Sequence, residues 1–300
     1  MKKYILPALL LVLTAACGKD DPENKTGGKT EWPDSPSTEN KTYNKGDKLV
    51  DVSELDLVWS DEFNTGTMVN TADWTYEKGH VRNQEIQYYT EARPENCKIA
   101  NGELIITGRQ ETQPYPAEAG GEEITSASII TNNKHSWKYG RFEIRAKVPA
   151  GKGPWPAFWA KGDNQNTGEG WPRCGEIDIM EYASKTPNEM VHNVIYGNSS
   201  TDYKSVAANV PPADGKPFHS DYHIYSLDWN ERQIVFAVDN KVTHVVNLSG
   251  LTPNPFNQPF SLLLNLALGA DTERTMGGKL DKSCLPVEFR VDYVRIYKTK

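Results

Sequence analysis

The stretch Gly175-Glu176-Ile177-Asp178-Ile179-Met180-Glu181-Tyr182 places three carboxylates within six residues, separated by large apolar side chains. In a β-strand, successive side chains point to opposite faces, so Glu176 and Asp178 share one face and Ile177 and Ile179 the other. Strict alternation would put Met180 beside the acids and Glu181 among the isoleucines, where an isolated carboxylate is very costly. A β-bulge near Ile179-Met180 removes the conflict, because one extra residue sends Met180 inward and returns Glu181 to the acidic face. The motif therefore predicts a row of three acids on one wall of a sheet, backed by an apolar layer.

The chain around this motif reads as strands. Gly102 to Thr107, Gly140 to Val148, Tyr222 to Trp229, Gln233 to Val238 with an Asp239-Asn240 turn into Lys241 to Val246, Phe260 to Leu268 and Phe289 to Tyr297 lie between Gly, Pro, Asn and Asp clusters. No long segment carries a 3.6-residue period and no internal repeat is evident. Residues 54–300 thus form one all-β domain, a sandwich or barrel. Phe260 to Ala267 is apolar on both faces except at Asn265, as expected of a central strand with one polar group facing something that needs it. A net charge of −7 without a basic block argues against a nucleic-acid partner. Eight tryptophans and fourteen tyrosines can fill a core, and they also suit the apolar faces of sugar rings.

The first 17 residues have a positive start at Lys2 and Lys3 and an apolar run, Tyr4 to Ala15, too short to span a bilayer. They end in Leu13-Thr14-Ala15-Ala16-Cys17, which resembles the lipobox of bacterial lipoproteins and implies lipidation at Cys17. Gly18-Lys19-Asp20-Asp21 is similar to the acidic tag of surface-exported lipoproteins in Bacteroidetes. The expectation is an outer-membrane lipoprotein, exposed at the cell surface or else periplasmic, and monomeric. Residues 18–53 are polar and rich in Pro and Gly, which predicts a flexible tether. Cys97, Cys174 and Cys284 remain, so at most one disulfide can form, with its pairing open. Their spacing fits no zinc site.

Seven further landmarks accompany the acid motif in order. They are Leu57 to Phe63, Asn83 to Thr90, Tyr139 to Glu143, Gly153 to Trp159, His219 to Trp229, Leu264 to Gly269 and Val291 to Tyr297. With these the chain resembles glycoside hydrolase family 16, in the laminarinase-like branch that the extra residue of Glu-Ile-Asp-Ile-Met-Glu marks. The resemblance implies a β-jelly roll with a concave glycan-binding sheet and an endo-acting retaining hydrolase. It implies Glu176 as nucleophile, Glu181 as acid and then base, and Asp178 as the group between them that tunes Glu176. A retaining enzyme needs its two carboxyl groups about 5–5.5 Å apart, which glutamates leaning together on a bulged strand can approach.

The same resemblance makes Asn83, Glu85, Trp155, Trp159, His192 and Asn265 candidates for substrate contact. Trp159 and His192 can equally be core residues, and Asn83 a turn residue. Catalysis needs no cofactor. Residues matching Glu62, Gly102 and Asp292 hold a structural calcium in many members, and a carboxylate with backbone carbonyls suits that ion. One departure stands out. Ser126-Ala127-Ser128 lacks an arginine common in the family, and Val81-Arg82 precedes Asn83. The expected substrate is a β-1,3 or mixed β-1,3/1,4 glucan, with two alternatives. One is an endo-β-1,4-galactosidase acting on agar-type or poly-N-acetyllactosamine glycans, and the other is a non-catalytic glycan-binding lipoprotein.

Overall fold

Two sheets stack face to face as a β-jelly roll in the computed structural model, which describes residues 41–299 apart from 118, 119, 185, 187, 188 and 274. The leader, Cys17 and residues 18–40 lie outside the described residues. The inner sheet has eight strands: β1 Thr75–Tyr76, β2 Ser128–Ile130, β3 Trp155–Gly162, β4 Glu176–Glu181, β5 Met190–Ser199, β6 Asp202–Ser205, β7 Ala208–Val210 and β8 Phe260–Ala267. Their spatial order is β6-β5-β4-β3-β8-β2-β1, with β7 paired to β5. The acid-bearing β4 therefore sits between β5 and β3 near the middle of the sheet. The outer sheet has ten strands, with Gly140–Lys147, His223–Trp229 and Val287–Thr299 adjacent near its middle.

Between the sheets, Phe142, Ile144 and Leu227 of the outer layer share one core with Ile177, Ile179, Met180, Leu262 and Leu264 of the inner. Strand β8 is buried along its whole length, as its two-sided apolar pattern predicts. Leu262, Leu264 and Leu266 face this core. Leu263 faces the other way, against Ala157 and Trp159 in a small cluster of its own. Fully burying a large aliphatic side chain stabilises by about 1.5–3 kcal/mol, so this double packing fixes β8, and Asn265 with it, firmly.

The tether ends earlier than its composition suggests. Tyr43 and Leu49 are buried against Val235, Ala237 and Val242 on the outward face of the outer sheet. Gly46 N–H donates to the Val242 carbonyl at 2.8 Å and Leu49 N–H to that of Asn240 at 3.2 Å. Two well-spaced apolar anchors and a few backbone bonds are enough to dock a segment that averages as polar. The strap also explains a buried charge. Arg141 is fully buried, donating to Asp228 at 2.7 Å and to the Val50 carbonyl at 3.2 Å.

Cys97, Cys174 and Cys284 are all unpaired, so the one disulfide that their number allows does not form. A chain beginning at residue 54 loses Tyr43, Leu49 and a hydrogen bond to Arg141. It is expected to be less stable than one beginning at residue 41 by about 3 kcal/mol or more. Urea unfolding of the two chains checks this, and coincident midpoints would show that the strap adds nothing.

Candidate active site

The bulge lies where the acid spacing requires it. Asp178 pairs with Trp159 and Glu181 with Ala157 on β3, and the register slips between Asp178 and Met180. On the other side, Asp178 faces Asn193 and Glu181 faces Val191 on β5, with the matching slip. Ile179 and Met180 are both fully buried, and Glu176, Asp178 and Glu181 line the cleft together. The bulge leaves the Ile179 carbonyl out of the regular ladder, and His192 Nδ1–H donates to it at 2.7 Å. His192 Nε2 lies 2.8 Å from Thr243 Oγ1 on the outer sheet, and the ring stacks on Phe236.

This corrects the expectation for His192. It points into the core and pins the bulge from behind, while its neighbour Asn193 faces the cleft. Asn193 hydrogen-bonds Asp178 and accepts from Ser205 Oγ at 2.8 Å. The parity of β5 carried that signal. Once Asp178 is set on the cleft face, its cross-strand partner must be there too.

The three acids titrate together. Burial pushes Glu176 up to about 7, against the pull of Lys161 and Arg82. Burial, the Glu176 charge and the Glu181 charge hold Asp178 well above the usual carboxylate range. Burial and then the Glu176 charge raise Glu181 to about 8. Neighbouring carboxyl groups cannot all ionise in such a site, so the set retains protons near neutral pH and its apparent values belong to the group. Trp155 Nε1 donates to Glu181 Oε1 at 3.2 Å, fixing that carboxyl against the cleft wall.

A hydrogen-bonded chain forms the rest of the floor. Trp159 Nε1 donates to Asn265 Oδ1 at 2.7 Å, Asn265 Nδ2 to Tyr89 Oη at 3.1 Å, and Tyr89 O–H to Glu85 Oε2 at 3.3 Å. Glu85 also accepts from Gln87 at 2.7 Å and Asn83 at 3.0 Å. The polar group expected to need a partner in β8 has two. Asn83 has φ of 56° in a tight turn at the cleft edge, so its turn role and its cleft position coexist.

Arg82 was noticeable in the sequence only as a departure. Its guanidinium lies over the Trp159 ring at 5.1 Å and pairs with Glu77, which also accepts from Ser128 Oγ at 2.6 Å. That covers a face of Trp159 and leaves Trp155, Trp171 and Tyr203 as the remaining aromatic rings of the cleft lining. Trp171 and Tyr203 are exposed, with ring centroids 5.1 Å apart. The cleft encloses about 510 Å³, within the usual range for a small-ligand site.

The two carboxylates of the calcium set, Glu62 and Asp292, are held by arginines in this arrangement. Glu62 accepts two bonds from Arg295, at 2.9 and 2.7 Å, and Asp292 one from Arg145 at 2.7 Å. Each carboxylate already has its positive partner. Among the described residues, no group of three or more His, Cys, Asp and Glu side chains gathers to hold a metal.

An open cleft across a concave sheet, lined by indoles and carrying three carboxyl groups that retain protons on one wall, is the build of a carbohydrate-cleaving enzyme. The model of glycosyl hydrolases family 16 matches residues 68–294. The chain belongs to that family and is an O-glycosyl hydrolase. It is 39% identical to a β-glucanase of Rhodothermus marinus over 256 residues, 81% of this chain and 85% of that one. The laminarinase catalytic domain of Thermotoga maritima superposes with a TM-score of 0.72 at 35% identity, covering 82% of this chain and 99% of that domain. A keratan-sulfate endo-1,4-β-galactosidase of Sphingobacterium multivorum is 30% identical over 94% of this chain, which spans 64% of its length.

His192→Leu leaves the Ile179 carbonyl unpaired and is expected to cost about 1–3 kcal/mol at pH 7. Burial lowers His192 to about 3, so the folded protein holds it neutral while the unfolded chain takes up a proton below about 6.5. The wild type therefore loses that stability as pH falls from about 6.5 towards 3, and the gap to His192→Leu narrows. Urea unfolding at pH 7 and pH 4 measures both effects, and a gap that widens at pH 4 would contradict the neutral assignment.

Proposed function

We propose that this protein is an endo-acting retaining hydrolase that cuts internal β-1,3 or mixed β-1,3/1,4 linkages of glucans. Glu176 attacks the anomeric carbon and forms a glycosyl-enzyme intermediate. Glu181 protonates the leaving oxygen and then, as a base, activates water. Asp178 shares a proton with Glu176 and spaces the two glutamates. The observation that carries this reading is the gathering of Glu176, Asp178 and Glu181 on the cleft face of one bulged strand, with the Trp155 indole hydrogen-bonded to Glu181. Each of the two reacting groups needs a different protonation state, and a set of three carboxyl groups that retains protons near neutral pH holds both forms side by side. The glucanase relatives support glucan as the substrate. Cys17, lipidated after removal of the leader, would tether the enzyme at the bacterial outer surface, where polymeric substrate is met.

A second reading has its own support. Arg82 masks Trp159 where the sequence departs from the family, and a keratan-sulfate galactosidase is among the relatives. An endo-β-1,4-galactosidase acting on poly-N-acetyllactosamine or agar-type chains is therefore the alternative. A glycan-binding protein without activity ranks third, because all three acids are retained.

The purified protein is expected to shorten laminarin, barley glucan and lichenan to oligosaccharides. Glu176→Gln and Glu181→Gln should each lose about a thousandfold or more in rate. Cleavage of agarose or keratan sulphate alone would move the assignment to galactans. No cleavage of any polymer, by wild type and variants alike, would leave only the binding reading. Activity should peak near pH 7–8, falling on the acid side as the set gains the proton that silences the nucleophile and on the alkaline side as it loses the proton the acid must donate. Glu181→Ala should regain turnover with azide and give a glycosyl azide of retained anomeric configuration. An inverted azide would make Glu181 the nucleophile instead.

A further inference from the structure

Strand β3 brings a lysine to the acids. Lys161 is the cross-strand partner of Glu176, as Trp159 is of Asp178 and Ala157 of Glu181. Directly opposed residues on neighbouring antiparallel strands place their side chains on one face, with Cβ atoms about 4.5–5.5 Å apart. Lys161 accordingly lines the cleft beside Glu176 and is partly buried there. Among the described residues it makes no ion pair within 4 Å, so it is not held as a structural salt bridge.

From this geometry we infer that Lys161 is a positioning residue whose charge keeps Glu176 ionised for attack without closing a salt bridge that would occupy the attacking oxygen. The inference rests on the nucleophile role proposed for Glu176. A direct ion pair would tie up a lone pair, whereas a cation one strand away stabilises the charge and leaves the oxygen free. The other groups around Glu176 set the balance that Lys161 shifts. On its own strand, Asp178 is held protonated by burial and by the Glu176 and Glu181 charges, and its hydrogen bond to Glu176 favours the charged form of that group. On β5, Ile195 and Asn193 are uncharged and stand opposite Glu176 and Asp178. From the loops, Arg82 favours the charged form and Trp171 donates a hydrogen bond to it. Glu85 lies further along the floor, its carboxylate taken by Gln87 and Asn83, and Cys174 two residues earlier is a buried thiol. Lys161 stands first among the groups that lower the proton affinity of Glu176.

The test pairs kinetics with direct titration. In Lys161→Met, the acid limb of kcat/KM should move up by about one pH unit, a loss of about tenfold on the acid side that shrinks as pH rises. Lys161→Arg should return the limb to the wild-type position. A ¹³C titration of labelled glutamate carboxyl groups, with Glu176 assigned through Glu176→Gln, should show the same upward move and the same return. An unmoved Glu176 titration in Lys161→Met overturns the inference. So does a uniform loss of kcat/KM at every pH, which marks a lysine that only packs or touches sugar. If the wild type cleaves no glycan, the hydrolase roles fail separately, and the carboxyl titration alone decides whether Lys161 sets the charge of Glu176.

Discussion

Three carboxyl groups on six consecutive residues of a central strand repel one another and resist burial, and the surrounding structure answers both problems. The bulge gives all three the same face without driving Glu181 into the core. Its own cost, a carbonyl turned out of the ladder, is met by His192 from the next strand. His192 in turn reaches Thr243 on the opposite sheet, so the two layers of the sandwich clamp the irregularity between them. The charge problem is met by proton retention and by two cations in the cleft lining, Arg82 and Lys161. Removing the histidine would orphan the Ile179 carbonyl, and removing the cations would raise the cost of charge on Glu176.

The floor of the cleft is rigid for a different reason. Trp159, Asn265, Tyr89 and Glu85 form an unbroken run of hydrogen bonds from β3 across β8 to the loop beyond. A fully satisfied buried polar network specifies one arrangement, because any member that turns away leaves its neighbour unpaired. The indole of Trp159 is thus held edge-on by Asn265 and covered by Arg82, while Trp155 and the exposed Trp171–Tyr203 pair keep free ring surface. Sugar rings, apolar on their faces and polar at their edges, meet both kinds of surface in the cleft.

Much of this was legible in the sequence because it breaks a rule there. The bulge could be read from Glu181, which alternation alone would have buried, and the partner of Asn265 from a lone amide in an apolar run. What escaped reading depends on contacts between distant segments. Whether His192 or Asn193 faces the cleft is a question of strand parity, settled only by the pairing of Asp178 with Asn193. Tyr43 and Leu49 are two apolar residues in a polar stretch, and their docking surface lies some two hundred residues away. Glu62 and Asp292 match a metal-binding pattern by position, yet each meets an arginine whose reach depends on the sheet register. Arg82 stood out as a departure, but its place over Trp159 follows from a turn with residues at positive φ, Asn83 and Gln84.

The strap formed by residues 43–50 has a mechanical consequence. It leaves the domain over Val235, Ala237 and Val242, on the outward face of the sheet that lies behind the cleft. Force arriving along the preceding chain is therefore taken up by the back layer, as shear between the strap and the 233–247 hairpin. The strands that carry the acids bear none of that load directly, so tension on the preceding chain would be met without prising the catalytic wall apart.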